Sequence, residues 1–383
     1  MITLVTTLGT DAIDLYPQKL AQNLSVPKIY FNVYQKRAMR FNISFFSPGA
    51  MRLSREDWQF IKMLRQRNDI IHLPNQHLGR YGVFLKPPYI ITVHDLSRYF
   101  DLKGYTTYIH HPNFRDKRYL SLDYRGVKRA TRVIAVSQAT KQDLIRHLEI
   151  PGQYISVVYE GIDHQVFQPV KDHLFDFPYL LFVGSEHPQK NFSGLLKAFS
   201  RLKRGGKFEK LKLVKVGKAG GPEAEFRKRS LEVIGYLGLR EEVIFTDYVP
   251  EENLPAYYSA AECLILPSFY EGFGCPLLEA MACGCPVIIS NRPSLPEIAG
   301  DAAMQVEPNN IEDITATLYE LLINQDLRET LVNKGLQRSA EFTWKRTAEE
   351  TLQLYLEVEE NLRTDRGLYK TTELMGILPI YEY

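Results

Sequence analysis

What most constrains this chain is an alternation that runs twice. Ile2–Thr6, Ile29–Val33, Ile70–Leu73, Tyr89–Val93, Arg132–Val136 and Ile155–Val158 are short, apolar and rich in β-branched residues, and read as strands. Helical period separates them, most clearly over Ser54–Arg67 and over Gln138–Leu148, where Ser137 is a good N-cap. After a break the alternation restarts. Tyr179–Val183, Leu211–Val216, Val243–Phe245, Cys263–Leu266 and Val287–Ser290 read as strands, with helices over Phe192–Arg204, Pro222–Leu237 and Pro276–Ala282. A strand that returns to a parallel neighbour needs a crossover, usually helical, so the pattern predicts parallel sheets covered on both faces. Two runs predict two doubly wound α/β domains, residues 1–165 and 170–362, joined through Asp163–Pro178. Beyond Val306 the chain reads as helical, over Ile311–Leu322, Leu327–Gly335 and Thr343–Leu362, and residues 363–383 are expected to pack back on the first domain. The carboxyl ends of the two sheets should face a common cleft.

A length of 383 residues, 45% hydrophobic and 24% charged, suits two cores in a globular protein. No apolar run approaches the ~20 residues that span a bilayer. Met1–Leu8 precedes the first basic residue, Lys19, and reads as a strand where a leader would carry charge. All four cysteines lie between Cys263 and Cys285 at spacings unlike a zinc site, and are expected as reduced thiols in a cytoplasmic protein.

Charge is divided unevenly. Residues 1–165 hold 23 Lys and Arg against 13 Asp and Glu, the remainder 24 against 32, so +10 faces −8. Arg115, Lys117, Arg118, Arg125, Lys128, Arg129 and Arg132 form one basic cluster, and Arg52–Arg67 holds another. A solvated helix face explains such clusters, as does a surface meeting anionic lipid headgroups or an anionic acceptor. Nothing beside them resembles a nucleic-acid-binding module.

The most informative stretch is Pro267-Ser-Phe-Tyr-Glu-Gly-Phe-Gly-Cys-Pro-Leu-Leu-Glu279. A strand ends at Leu266, a glycine-bearing loop follows, and Pro276 sits where a first helical turn tolerates proline. Amides of Gly272, Phe273 and Gly274 at a helix N-terminus make a site for phosphate. Glu271 and Glu279 flank it as acceptors suited to hydroxyl pairs, so a phosphate with sugars on both sides fits the layout. A plain strand–helix turn with two solvated glutamates is the alternative on composition alone.

Glu271-Gly-Phe-Gly-Cys-Pro-Leu-Leu-Glu279-Ala-Met-Ala-Cys-Gly-Cys-Pro-Val287 resembles the E-x7-E signature of the retaining glycosyltransferases of family four, which have the GT-B fold. Ser290–Asp301, Phe182–Asn191, Phe245–Pro250, Val93–Leu96 and Val136-Ser137 are similar to further stretches of that family. The resemblance implies two Rossmann-like domains facing a cleft, acceptor on the first and nucleotide-sugar donor on the second. It implies that Glu279 holds ribose hydroxyls and Glu271 those of the donor sugar. Gly184, Ser185, Gly272, Phe273 and Gly274 would contact phosphate and sugar, and Tyr248 and Val249 would face the base. It further implies that Lys190 neutralises the departing diphosphate and that His94 approaches the sugar or the acceptor.

The chain departs from the family where a basic residue is usual near Ser185 and where arginine is common at Gln189, leaving Lys190 with His187 as a possible helper. The glycine-rich loop after the first strand is reduced to Thr7–Asp11, with Gly9 and Thr10 the acceptor-side candidates. No Asp-x-Asp pair follows a strand, so neither metal nor other cofactor is expected beyond the sugar nucleotide itself. The expectation is a metal-independent, retaining hexosyltransferase that uses a GDP-mannose or UDP-glucose type of donor and a hydroxyl acceptor, sugar or lipid-linked. It would work in the cytoplasm, with its basic half free to meet the inner membrane face. Its rivals are a catalytically silent GT-B scaffold and a nicotinamide-dependent or epimerase fold; the nicotinamide case wants a G-x-G-x-x-G that Thr7–Asp11 does not supply.

Overall fold

A computed structural model describes residues 1–7, 12–31, 55–86, 88–171, 174–219 and 223–374. The first sheet holds β1 (Ile2–Thr7), β2 (Lys28–Phe31), β3 (Ile70–Leu73), β4 (Tyr89–Val93), β5 (Arg132–Ala135) and β6 (Ile155–Val157), in the order β2-β1-β3-β4-β5-β6. The second holds β7 (Tyr179–Val183), β8 (Lys212–Val216), β9 (Val243–Asp247), β10 (Cys263–Leu266), β11 (Val287–Ser290) and β12 (Met304–Val306), in the order β12-β11-β10-β7-β8-β9. Every neighbouring pair is parallel. The central strands are buried along their whole length, as helices on both faces require. The two doubly wound domains expected from the alternation are present. The strand missed is β12, an edge strand of three residues whose Gln305 faces solvent, so it offers no apolar run to read.

One element crosses the expected division: the Trp344–Leu374 helix, whose start was read with the second domain, packs on the first, and residues 375–383 of the segment expected to pack back there lie outside the described residues. The helix's Ala348, Leu354, Tyr355 and Val358 pack with Ile2, Leu4, Tyr16 and Leu20 of the first domain. These apolar positions recur at helical spacing and cover a side of the first sheet that would otherwise meet water. The two chain crossings lie together: Ile162 N–H donates to Phe342 O at 3.3 Å, and Ile162 pairs with Thr343.

A buried histidine fastens the returning helix. His72, inside β3, meets Tyr355 Oη at 2.6 Å through Nδ1 and Thr92 Oγ1 at 2.8 Å through Nε2. Burial pushes its pKa down to about 3, so the ring is neutral and needs both neighbours. Tyr355→Phe strands one buried ring nitrogen and should cost ~1–3 kcal/mol. Urea unfolding at neutral pH should show a lower midpoint with the same slope; an unmoved midpoint would remove this bond from the fold's support.

Candidate active site at the domain interface

In the second sheet the winding direction reverses between β7 and β10, which lie side by side with Cys263 opposite Leu180 and Leu264 opposite Leu181. Loops leaving the carboxyl ends of such a pair diverge to opposite faces and open a crevice. Lys190 ends the short turn after β7, and Glu271 stands in the loop after β10. Lys190 Nζ donates to both Glu271 oxygens at 2.7 Å, and Ser268 Oγ donates to Oε1 at 2.8 Å. The pair is 20% and 11% exposed, shielded from bulk solvent yet open to a ligand. Beside it Gly184 donates its amide to Val216 O at 3.0 Å, with Ser185 half-buried next to it.

The motif helix spans Cys275–Ala282, with Pro276 in its first turn. Gly274 enters it at φ 101°, which only glycine adopts without strain. Among the described residues no acceptor takes the amides of Gly272, Phe273 or Gly274, which leaves three donors at the helix start for an anion. Glu279 sits one turn further, half-buried, with Tyr258 Oη donating to Oε2 at 2.7 Å. Burial, aided by Glu251, pushes its pKa up to about 7 against the pull of Tyr258 and Lys19. Tyr248 is exposed under Lys218, whose Nζ lies 5.8 Å from the ring centroid, and Val249 packs against the second core.

His187 does not supply the missing cation. Burial, with the nearby Lys190 charge, pushes its pKa down to about 4. Lys215 and Arg227 are close in sequence space to no expected site, yet both reach the loop after β7, where they pair with buried Glu186 at 3.3 and 2.8 Å. Glu186 and Asp247, which Arg227 also reaches at 2.8 Å, together balance their charge.

The first domain meets this loop through backbone atoms and small polar groups. Ser137 Oγ donates to Gly272 O at 2.7 Å, and His94 O lies against the Gly272 α-carbon. Tyr270 inserts into the first domain's core, where its hydroxyl donates to Asp143 Oδ2 at 2.9 Å and accepts from Leu96 N–H at 3.1 Å. Glu297 accepts from Gln138 N–H at 2.7 Å and Ala139 N–H at 3.0 Å, capping the Gln138–Leu148 helix from the other domain. Tyr108, Asp143, Tyr270, Arg292 and Asn309 help line a cavity of about 580 Å³ on this seam.

His94 is at the seam, and both its ring nitrogens have protein partners, Nδ1 with Glu160 Oε1 at 2.7 Å and Nε2 with Pro74 O at 3.0 Å. Gly9 and Thr10 lie outside the described residues. The structure thus brings Lys190, Glu271, Gly184 and Gly272–Gly274 together, with His94 against Gly272. Tyr270, Glu297, Ser137 and Glu160 were missed, because nothing in their spacing marks a contact between domains. No helix is long and apolar enough to cross a membrane among the described residues, and no cluster of three His, Cys, Asp or Glu could hold a metal there. The four cysteines are free thiols.

Two Rossmann-like domains facing each other across a crevice are the arrangement of the GT-B fold. Residues 167–338 match the model of glycosyl transferases group 1 and residues 21–166 that of glycosyltransferase family 4. O-antigen chain mannosyltransferase B of Escherichia coli is 31% identical over 68% of this chain and 69% of its own. An MMP alpha-(1->4)-mannosyltransferase of Mycolicibacterium hassiacum is 28% identical over 64% of each chain. Sucrose-phosphate synthase from Thermosynechococcus elongatus shares the fold at TM-score 0.73 and 22% identity, over 94% of this chain and 99% of its own. Anabaena HepE in complex with UDP and glucose does so at 0.73 and 16%, over 92% and 98%. The chain belongs to the group 1 glycosyltransferases and is an enzyme of that class.

Gly272 tolerates no side chain in this docked arrangement. A Cβ there would stand 1.8 Å from His94 O, so Gly272→Ala should cost the closed form ~1–3 kcal/mol. Small-angle scattering should report a more open molecule; a profile matching the wild type would show that the seam yields instead.

Proposed function

We propose that this enzyme transfers a hexose, mannose foremost, from a nucleoside diphosphate sugar to a hydroxyl acceptor, with retention and without a metal. The observation that carries the reading is the Lys190–Glu271 pair at the reversal point, beside three unclaimed loop amides. A donor diphosphate would draw Lys190 away from Glu271, and the freed carboxylate would take sugar hydroxyls. The amides and Lys190 then meet negative charge that grows as the diphosphate leaves, the stage at which fixed charge lowers a barrier. Glu279 would hold the ribose, and the stretch at Tyr248 and Val249 the base. The mannosyltransferases among the relatives support mannose, and with it a GDP donor over a UDP one. The retaining outcome rests on kinship with family four.

Lys190→Ala should lower kcat about 10²- to 10³-fold with little change in donor KM, and wild-type turnover should survive excess EDTA. Loss of donor affinity with kcat intact would overturn the lysine's role; activity that EDTA abolishes and Mg²⁺ or Mn²⁺ restores would overturn the metal-free reading.

Glu279 adds a pH signature. Its carboxyl is protonated below about 7 and charged above, and a charged acceptor binds hydroxyls by ~1.5–3 kcal/mol. Calorimetry with the sugar nucleotide should therefore show affinity rising from pH 6 to 8, and a weaker, flat profile for Glu279→Gln. A flat wild-type profile would take Glu279 out of the donor site.

The acceptor side is read as the cytoplasmic face of a membrane. Arg115, Lys117, Arg118, Arg125, Lys128 and Arg129 are all exposed on the Phe114–Arg129 helix. Arg129 donates to Val83 O, next to Phe84, against which the half-exposed Trp58 ring packs at 5.4 Å. A basic face adjoining an exposed indole suits an anionic bilayer surface. Sedimentation at low salt should show binding to anionic but not neutral liposomes, lost when Arg118, Arg125 and Arg129 are changed to Glu. Equal, negligible binding throughout would point to a soluble acceptor.

A further inference from the structure

Glu160 stands where the chain leaves the first domain, is 7% exposed, and uses its two oxygens on different domains. Oε1 takes His94 Nδ1 at 2.7 Å, and Oε2 takes the Cys275 thiol at 3.2 Å. Cys275 is the first residue of the motif helix, so one carboxyl group links the donor-side helix to the histidine after β4. We propose that Glu160 is a positioning residue which couples docking of the second domain to the orientation of His94. The proposal rests on the transferase reading for its consequence, though not for its geometry.

The coupling follows from what each group has when the domains part. Cys275 moves with the second domain, so separation takes away the thiol donor and opens Glu160 to water. His94 then depends on a hydrated carboxylate at Nδ1, while its amide stays on Gln76 Oε1 at 3.1 Å and Nε2 on Pro74 O. In the docked form both ring nitrogens face acceptors, which only the doubly protonated ring satisfies. Burial opposes that charge, but the Glu160 hydrogen bond and charge, Pro74 O and Asp95 outweigh it and raise the His94 pKa. Among the described residues the other groups packed around the ring add no cation: His72 is held neutral, and Tyr16 meets the ring edge-on at 4.8 Å with its own pKa raised far above ten. The charge on His94 is therefore sustained by Glu160, and the carbonyl of the same residue lies against Gly272. Docking, ring orientation and charge form one linked arrangement beside the transfer point.

The test uses the full chain labelled with 15N-histidine and no sugar nucleotide, with His94→Asn to assign the signal. Glu160→Gln should lower the His94 titration midpoint by more than one pH unit and remove the hydrogen-bonded Nδ1–H resonance. Cys275→Ala should shift the same resonance, and Cys275→Ser, whose hydroxyl also donates, should restore the wild-type signal. In turnover assays Glu160→Gln should lower kcat at least tenfold with donor KM within twofold. An unchanged His94 midpoint in Glu160→Gln overturns the positioning role. A shift in Glu160→Gln with none in Cys275→Ala overturns the coupling to docking. Because the titrations contain no donor, a protein that failed to transfer hexose would still give them, and the two failures are distinguishable.

Discussion

The pairing of β7 with β10 is the contact on which the site depends. Their paired residues, Leu180 with Cys263 and Leu181 with Leu264, are 83 positions apart along the chain, and only the adjacency of the two strands brings the loop bearing Lys190 beside the loop bearing Glu271. Winding runs outward from them in both directions, through β8 and β9 on one side and β11 and β12 on the other. A crevice therefore exists before any functional side chain is chosen. What the chain places there is economical: one cation, one carboxylate, and a glycine-bearing turn with its amides unclaimed. Charge is balanced within the crevice while it is empty, so a partly buried lysine and glutamate cost each other little. On the proposed reading, an arriving anion would compete for the lysine, and that competition would free the glutamate.

The seam between the domains is built differently. Among the described residues, besides Lys19, which bridges Asp163 and Glu251 at 3.0 Å near the chain crossing, the docked loop is held by hydroxyl-to-carbonyl bonds, a tyrosine in a foreign core, the Cys275 thiol on Glu160, and a carboxylate on helix amides. Neutral bonds of this kind are worth about 0.5–1.5 kcal/mol each and those to a carboxylate about 1.5–3, because water replaces them when the domains part. An interface of this kind binds firmly only as a set and separates without leaving stranded charges. Tyr270 is the exception, since it carries a full aromatic side chain into the first domain's core and stacks on Tyr108 at 5.1 Å and 15°. Closure is thus dominated by one apolar anchor, with polar contacts setting its register.

The sheet architecture was legible because buried parallel strands are continuous apolar runs that leave little choice of face. In the second domain β7, β10 and β11 behave this way, whereas β12, whose three residues alternate, carries no such signal. The turn from β10 into the motif helix was legible because its entry at Gly274, φ 101°, demands glycine, and glycine is visible in a sequence. The seam was not legible. Tyr270 looks like any loop aromatic, Glu297 like any helix acid, and Glu160 like a residue in a connector; each gains its meaning only from a partner more than sixty positions away. His94 shows the same limit from the other side. Its place at the end of β4 was correctly expected, but which atoms its ring would touch depends on β3, β6 and the motif helix together.

The two motif glutamates illustrate how one residue type acquires two roles. Glu271 faces a lysine at 2.7 Å and a serine hydroxyl, an environment that satisfies negative charge. Glu279, one helical turn past the loop, meets a tyrosine hydroxyl at 2.7 Å and another carboxylate's field, and is pushed up to about 7. Environments that drive like groups apart are a common means of dividing labour within a site. The arrangement gives Glu271 a countercharge, and Glu279 a charge that appears only as pH rises through neutrality. Neither property belongs to glutamate as such. The first comes from the adjacency of β7 and β10; the second comes from burial at the motif helix, aided by Glu251 and opposed by the Tyr258 hydroxyl.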